Sequence, residues 1–436
     1  MHRSIPGIVA RIALPTLIVS LTLSGGVVGG CSKQKVETDP DYARQLRPGE
    51  SALRLITDPM RMPDLTAAYD KQMEYREFLL AALDRSITWF NAPSSKQFFP
   101  FNVDGRMVSH EEAKASVIAF QEAVGSATTA AEFDELIRGR FDVYESVGYN
   151  NEGIVLFTGY YAPVFQAGRT QTAEYRFPLY TRPADLVTDP VTGEPKGRQT
   201  PDGMIVPYYT RREIDESGMF AGSELVWLKD ELSAYIIQVN GSARLRMDDG
   251  STMYIGYAGK TDKPYYGLGQ SMMDEGILTP NNLSLPAIKQ KFRENPELVI
   301  DLIYRNENYV FFTEYQPGNW PAGSLGVQVT EETSLATDKK IYPRGGVTLV
   351  DTQAVNLSYT KRPFLHFMMD QDTGGAIKAP GRADIFMGSG EMAEILAGGQ
   401  YAEGRLYYFF LKPDVFAAMY STDGATTEGA MALSPE

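Results

Sequence analysis

Apolar residues at Leu80, Leu83, Ile87 and Phe90 recur at spacings of three and four, the stripe of an amphipathic helix. Two more helices are announced by their starts. "SHEE" places Ser109 as N-cap with Glu112 at the third helical position, and "TAAE" repeats the box with Thr129 and Glu132. From about residue 154 the period shortens. "IVLFTGYYAPVF", "SAYIIQVNGSARLRM" and "STMYIGYAGK" are rich in β-branched and aromatic residues and broken by Gly and Asn, as strands with turns are. "DDG" before Ser251 marks a hairpin turn. A helical interlude, "SLPAIKQKFRENPELVIDLIYRN", follows, with Pro286 suited to a helix start and Pro296 dividing it into two helices. Strand patterns resume in "YVFFTEY", "LGVQVT", "GVTLVDT", "FLHFMM" and "LYYFFL". The pattern predicts a mainly β protein with an α-rich N-terminal part, its short strands spaced as in barrels.

The ends of the chain differ in character. Arg3 and Arg11 flank or precede the apolar run "IALPTLIVSLTL", too short for a membrane span, and "SGGVVGGCS" brings small residues up to Cys31. The pattern resembles a bacterial lipoprotein signal over residues 1–30, cleaved before a cysteine that then carries lipid. Cys31 is the single cysteine of the 436 residues, so no intramolecular disulfide forms, and acylation would consume its thiol. Residues 31–59, with Pro40, Pro48 and Pro59 and no periodicity, read as a tether, and residues 417–436 as a C-terminal tail. The net charge is −14, and about −16 without Arg3 and Arg11. An acidic chain with no basic patch excludes nucleic acid as partner.

Counting removes several chemistries. Of three histidines, His2 lies in the signal, His110 at a helix start and His366 in an apolar strand pattern, so neither a zinc site nor a Ser-His-Asp triad is supported. The "GSG" from Gly388 to Gly390 lacks the frame of a phosphate loop. Carboxylates remain. In "QDTGGAIKAPGRADIFMG", Asp372 follows the strand "FLHFMM" and Asp384 opens "IFM", with Gly374, Gly375 and Gly381 between them. Two carboxyls at one end of a sheet, in partly apolar surroundings, suit acid catalysis on a glycosidic oxygen. Turn and cap aspartates are common in such loops, so the pair by itself leaves both readings open.

That stretch resembles the three-aspartate domain of the membrane-bound lytic murein transglycosylase A family, with the first aspartate supplied by "SLATDKKIYPRGG" as Asp338. "FTGYYAPVFQA", "QVNGSARL", "YIGYAGKTDKPYYGLGQ" and "NENYVFF" follow the segments expected of that family in order, over roughly residues 150–415. Two departures stand out: Ala243 replaces a usual glycine, and the loop "IKAPGR" is one residue longer. The resemblance implies a double-psi β-barrel from residues 60–164 and 316–416, with a second β-barrel inserted at 165–315 as the other wall of a groove. It implies Asp384 as the catalytic acid/base, with Asp372 and Asp338 shaping its charge and hydrogen bonding.

The activity implied is cleavage of the MurNAc-β-1,4-GlcNAc bond of peptidoglycan without water, leaving 1,6-anhydromuramic ends. Tyr160, Tyr161, Gln238, Gly241, Ser242, Tyr257, Gly259 and Gly388 are the expected groove residues, offering rings, amides and close backbone approach to acetamido sugars. Lys260 and Lys378 would meet lactyl or peptide carboxylates. No metal and no cofactor is expected. The partners are glycan strands and a membrane reached through Cys31, and the protein is expected as a monomeric outer-membrane lipoprotein facing the periplasm. Three alternatives are a hydrolase of another β-1,4-glycan, a non-catalytic wall-binding lipoprotein and a structural tether.

Overall fold

The computed structural model describes residues 40–190, 192–279, 282–358 and 360–419. The signal, Cys31 and most of the tail lie outside them. In chain order the elements are β1 (Leu53–Leu55), α1 (Leu65–Gln72), α2 (Arg76–Asn91), β2 (Phe101–Val103), β3 (Arg106–Val108), α3 (His110–Ser126), α4 (Ala130–Arg140), β4 (Phe141–Ser146) and β5 (Val155–Ala162). Then come β6 (Val164–Gly168), β7 (Phe177–Tyr180), β8 (Leu186–Thr188), β9 (Pro195–Gln199), β10 (Ile205–Val206), α5 (Arg211–Ser217), β11 (Glu224–Leu228), α6 (Glu231–Asn240), β12 (Ser242–Met247) and β13 (Thr252–Lys260). The last part holds α7 (Leu268–Asp274), α8 (Leu285–Glu294), α9 (Pro296–Ile303), β14 (Val310–Tyr315), β15 (Ser334–Ala336), β16 (Val347–Val355), β17 (Lys361–Asp372), β18 (Arg382–Ser389), α10 (Glu391–Gly399) and β19 (Tyr401–Leu411).

The largest sheet runs β1-β4-β19-β16-β17-β15-β18-β5, and β19 also pairs with β5. That extra pairing closes β5, β19, β16, β17, β15 and β18 into a ring, which removes the sheet edges. Its two parallel contacts, β15 with β17 and β18 with β5, lie next to each other on either side of the β15–β18 pairing. The hydrophobic core around this ring includes Phe364, Phe367, Leu406, Phe409 and Phe410, with Phe367 and Phe409 packed on Phe120 of α3 and with α1 and α2 covering β17. Burying each of these Phe side chains contributes roughly 1.5–3 kcal/mol.

The second sheet runs β14-β13-β12-β6-β11-β7, and Thr181, just past β7, bridges Phe312 of β14, drawing its two ends together. The chain enters it at Pro163, between β5 and β6, and leaves it after Tyr315. A small sheet, β10-β9-β8, forms a flap whose turn carries Glu194.

Local signals predict most starts and stops. Ser109 and Glu112 form the reciprocal capping box of α3. Thr129 caps α4, but Glu132 reaches back to the amide of Thr128 rather than to that of Thr129. Pro286 and Pro296 both sit in the first turns of helices, α8 and α9.

Two segments differ from the pattern reading. "SAYIIQVN" belongs to α6: Asp230 caps it by accepting from the Ser233 amide, and Gly241 ends it in a left-handed conformation at φ 73°. An apolar run of this length suits a helix or a strand, and the caps decide. "LGVQVT" forms no strand; only Gln328 makes an isolated bridge, to Ala322.

Candidate active site

Strand β15 is only three residues long, yet it brings Asp372 at the end of β17 and Asp384 near the start of β18 to either side of it. Ala336 pairs with Asp372 of β17 on one side and with Asp384 of β18 on the other. Two strand spacings put the two Cα atoms about 10 Å apart. A register shift opposite Leu335 and Ala336 passes over Gln371, whose side chain instead turns into the core, bonded to Ser334 at 2.6 Å and to Ala82 O at 2.8 Å.

Asp384 is held from the neighbouring strand. It is the register partner of Thr158 on β5, whose hydroxyl donates to Asp384 Oδ1. Arg382, two residues earlier on β18 and so on the same face, places Nη2 3.6 Å from that oxygen and 3.1 Å from the Thr158 hydroxyl. The carboxyl is thus oriented by a hydroxyl and a guanidinium, while 17% of its side chain stays accessible.

Asp372 accepts the amides of Ser324 and Thr373, both at 2.8 Å. Burial nonetheless pushes its carboxyl above the usual range, because those amides offset only part of the lost hydration. The Tyr160 hydroxyl is buried nearby without a hydrogen bond of normal geometry, and burial, Asp372 and then Asp384 push it well up. Its ring packs on Phe386 at 5.1 Å.

Asp338 has a different surrounding. Its Oδ1 accepts from the Lys340 amide and its Oδ2 from the Ala379 amide, both at 3.1 Å, so it ties two loops together. An ion pair that the motif did not announce lies beneath. Lys339 pairs with Asp370, which also accepts from Thr337 at 2.8 Å and Tyr408 at 2.7 Å, all inside the ring. Burial pulls the Lys339 ammonium down, and Asp370 opposes that.

The segment that follows β13 comes close to the loop between the two aspartates. Tyr265, in the "PYYG" segment, faces the loop between Asp372 and Asp384: a side chain at Gly375 would come within 4.0 Å of its ring. Burial pushes its hydroxyl up, with Tyr235 beside it and the Asp384 charge within reach. Beyond Tyr265 lies a cleft of about 190 Å³, lined by Leu232, Ile236, Leu268, Leu285 and Ile288. The two parts are joined by Lys289 of α8 and Glu394 of α10, 2.5 Å apart, and by the tilted ring contact of Tyr254 with Trp320 at 5.1 Å.

The other predicted residues fall in several places. Tyr257 lies exposed on β13. Lys260 ends the same strand, and Lys378 lies in the loop before Asp384. Gly259 makes room for Arg182, whose guanidinium would lie 2.4 Å from a Cβ there. Tyr161 turns away to donate to Glu394 at 3.0 Å. Gln238 is buried on α6, Ser242 is buried at the start of β12, Gly241 serves the α6 cap, and Gly388 backs onto Glu331. Gly381 serves close packing against Tyr149 rather than the groove.

Thr158, Arg382, Tyr265 and the Lys339–Asp370 pair were not singled out from the sequence. A period-two signal marks Arg382 as a face-mate of Asp384; nothing local marks the others. His366 stacks on Phe364 at 3.9 Å, and burial pushes its ring down to about 4. His110 bonds Ser95 at 2.7 Å inside the core. Among the described residues no group of His, Cys, Asp and Glu is placed to hold a metal.

Two family models match the chain: the MltA specific insert domain over residues 156–313 and the 3D domain over residues 333–410. The second spans Asp338, Asp372 and Asp384. The chain belongs to the MltA family. Membrane-bound lytic murein transglycosylase A of Vibrio cholerae is 28% identical over 295 residues, covering 66% of this chain and 71% of that one. The Escherichia coli protein of the same name is 28% identical over 278 residues, covering 62% and 70%.

Solved structures share the family's fold. That of a membrane-bound lytic murein transglycosylase from Agrobacterium tumefaciens superposes with a TM-score of 0.66 at 23% identity, covering 83% of this chain and 98% of that one. Escherichia coli MltA with bound chitohexaose gives 0.63 at 22% identity, covering 86% and 100%. The insert model runs from the second residue of β5 into β14, and the 3D model from just before β15 through most of β19.

Proposed function

We propose that this protein is a peptidoglycan lytic transglycosylase that cuts the MurNAc-β-1,4-GlcNAc bond and leaves 1,6-anhydromuramic ends, with Asp384 as its single general acid/base. The observation that carries this reading is the position of Asp384: accessible, beside Ala336, oriented by Thr158 and Arg382, and facing the second sheet across Tyr265. The named relatives support the substrate class.

In its acid form Asp384 gives its proton to the glycosidic oxygen as that bond breaks and positive charge develops at the anomeric carbon. The resulting carboxylate takes the proton of the muramoyl C6 hydroxyl, whose oxygen bonds to the same carbon. The proton count is restored and no water is consumed. The nucleophile is part of the substrate, so one carboxyl suffices and holding the sugar in place supplies much of the rate. Asp372 keeps a second carboxyl close without being spent in the reaction.

The closed ring is the double-psi barrel of this reading, built from residues 60–164 and 316–416, and residues 165–315 form the inserted barrel. Lys260, Lys378 and Tyr257 line the groove between them. The protein is placed in the cell envelope as a monomer, held through lipid on Cys31 at the outer membrane and facing the periplasm. No helix among the described residues is long and apolar enough to cross a membrane.

Mass analysis of fragments released from purified sacculi tests the activity. The expected products lack one water relative to reducing ends, and Asp384→Ala is expected to bind glycan but lower product release by at least about 1,000-fold. Reducing ends would make the protein a hydrolase instead. Near-normal release by Asp384→Ala would overturn the assignment.

A further inference from the structure

Three lysines from separate parts of the chain bear on one carboxylate, that of Glu194. Lys260 ends β13 of the second sheet, Lys340 follows Asp338, and Lys378 lies in the loop between β17 and β18. Facing them is Glu194, in the turn of the β8–β9 flap, whose carboxylate lies 3.1 Å from Lys340 Nζ. Burial works against that carboxylate, but Lys340, with Lys260 and Lys378 behind it, holds it below the usual range. The Lys260 ammonium is pulled down by burial and then by the Lys378 charge, with Lys340 adding to it and Glu194 opposing.

One carboxylate thus answers three ammonium groups, in a chain whose net charge is −14. A concentrated positive spot on an acidic protein attracts anions locally while the rest of the surface repels them.

Asp338 explains how two of these lysines come together. One of its oxygens holds the amide of Lys340 and the other the amide of Ala379, the residue after Lys378. Ala379 has φ +68°, a left-handed conformation that a residue with a Cβ adopts only at some cost. The bond to Asp338 offsets that cost and fixes the loop. Both oxygens of Asp338 are therefore engaged in placing lysine-bearing backbone.

We propose that Lys260, Lys340 and Lys378 form a subsite for a carboxylate carried by the glycan substrate, with Glu194 as the resident counter-ion it displaces and Asp338 as the positioning residue. The proposal rests on the reading of the groove as a peptidoglycan site. The carboxylate belongs either to the lactyl group of a stem-free muramoyl residue or to a peptide stem, and the chemistry recognised is the same.

The test measures binding by calorimetry to full-length Asp384→Asn protein, which retains the groove's shape. Three ligands are used: neutral chitohexaose, peptide-free peptidoglycan glycan, and glycan bearing stems. The parent protein is expected to prefer one or both anionic ligands over chitohexaose, and added salt should shrink that preference. Combining Lys340→Ala with Lys378→Ala is expected to reduce the preference about tenfold, and Glu194→Gln to increase it. Asp338→Ala is expected to lower it as the lysine pair does; the surface lysine variants decide the matter if that protein does not fold.

The ligand whose preference collapses identifies the carboxylate. Equal binding of all three ligands by the parent, or a preference unchanged in the double-lysine variant, overturns the subsite. A wild-type chain that cuts sacculi yet shows no preference loses the subsite alone. A chain that shows the preference but cuts nothing loses the activity alone.

Discussion

Thr158 and Asp384 are register partners on adjacent parallel strands, and the threonine hydroxyl donates to the aspartate across 226 positions of sequence. The carboxyl is therefore aimed by a β-branched side chain whose own rotamer is restricted by its strand. Thr158→Val keeps that shape and deletes the donor. It is expected to lower kcat about 10- to 100-fold with little change in KM, as loss of orientation without loss of glycan contact requires. Steady-state release of soluble fragments from labelled sacculi measures both; a KM effect with kcat intact would place Thr158 in binding instead.

Asp372 makes a prediction about pH. Its carboxyl is held above the usual range, chiefly by burial, so the folded protein binds that proton more tightly than the unfolded chain. Its contribution to stability is present at acid pH and is lost as the pH rises from the ordinary carboxylate range through the folded value. Asp372→Asn can still accept from Ser324 and Thr373 but no longer ionises. Its melting temperature relative to wild type is expected to rise between pH 4 and pH 8; a difference that stays flat would contradict the burial account.

His366 predicts the opposite slope. Its ring is pushed down to about 4 by burial, so the neutral form belongs to the folded state. The stability this contributes is complete above the free histidine value near 6.5 and is lost as the pH falls from there towards 4. Across that window the loss amounts to about 3 kcal/mol. His366→Phe keeps the stacking surface against Phe364 and is expected to unfold with a shallower acid dependence in urea titrations at pH 7.5 and 4.5. Parallel curves for the two proteins would remove His366 from the acid response.

The pair beneath the site tests the ring itself. Lys339→Met leaves Asp370 buried with only Thr337 and Tyr408 as donors. The expected cost is about 3–5 kcal/mol, seen as a lower denaturant midpoint. Adding Asp370→Asn to that variant is expected to recover part of it, since the orphaned charge is gone. A double variant no better than the single one would mean that packing, not charge, is at stake.

Much of this organisation is legible residue by residue. The capping box at Ser109, the helix starts at Pro286 and Pro296, the hairpin before Ser251 and the strands "GVTLVDT", "FLHFMM" and "LYYFFL" all depend on contacts within a few residues. The aspartates were legible because the loop carrying Asp372 and Asp384, and the turn carrying Asp338, resemble a known pattern. "SAYIIQVN" shows the limit of periodicity, since its apolar run fits two structures and Asp230 and Gly241 choose between them.

By itself, then, the chain determined the elements, their approximate order and the carboxylates available for chemistry, because spacing and caps act locally. Only closure of the ring decided that Ala336 stands between Asp372 and Asp384, that Thr158 and Arg382 aim Asp384, and that Asp338 gathers Lys340 and the Lys378 loop. Those contacts depend on the register of strands far apart in sequence. A one-residue slip of β5 or β18 would turn Thr158, or Arg382 and Asp384, to the other face of the strand.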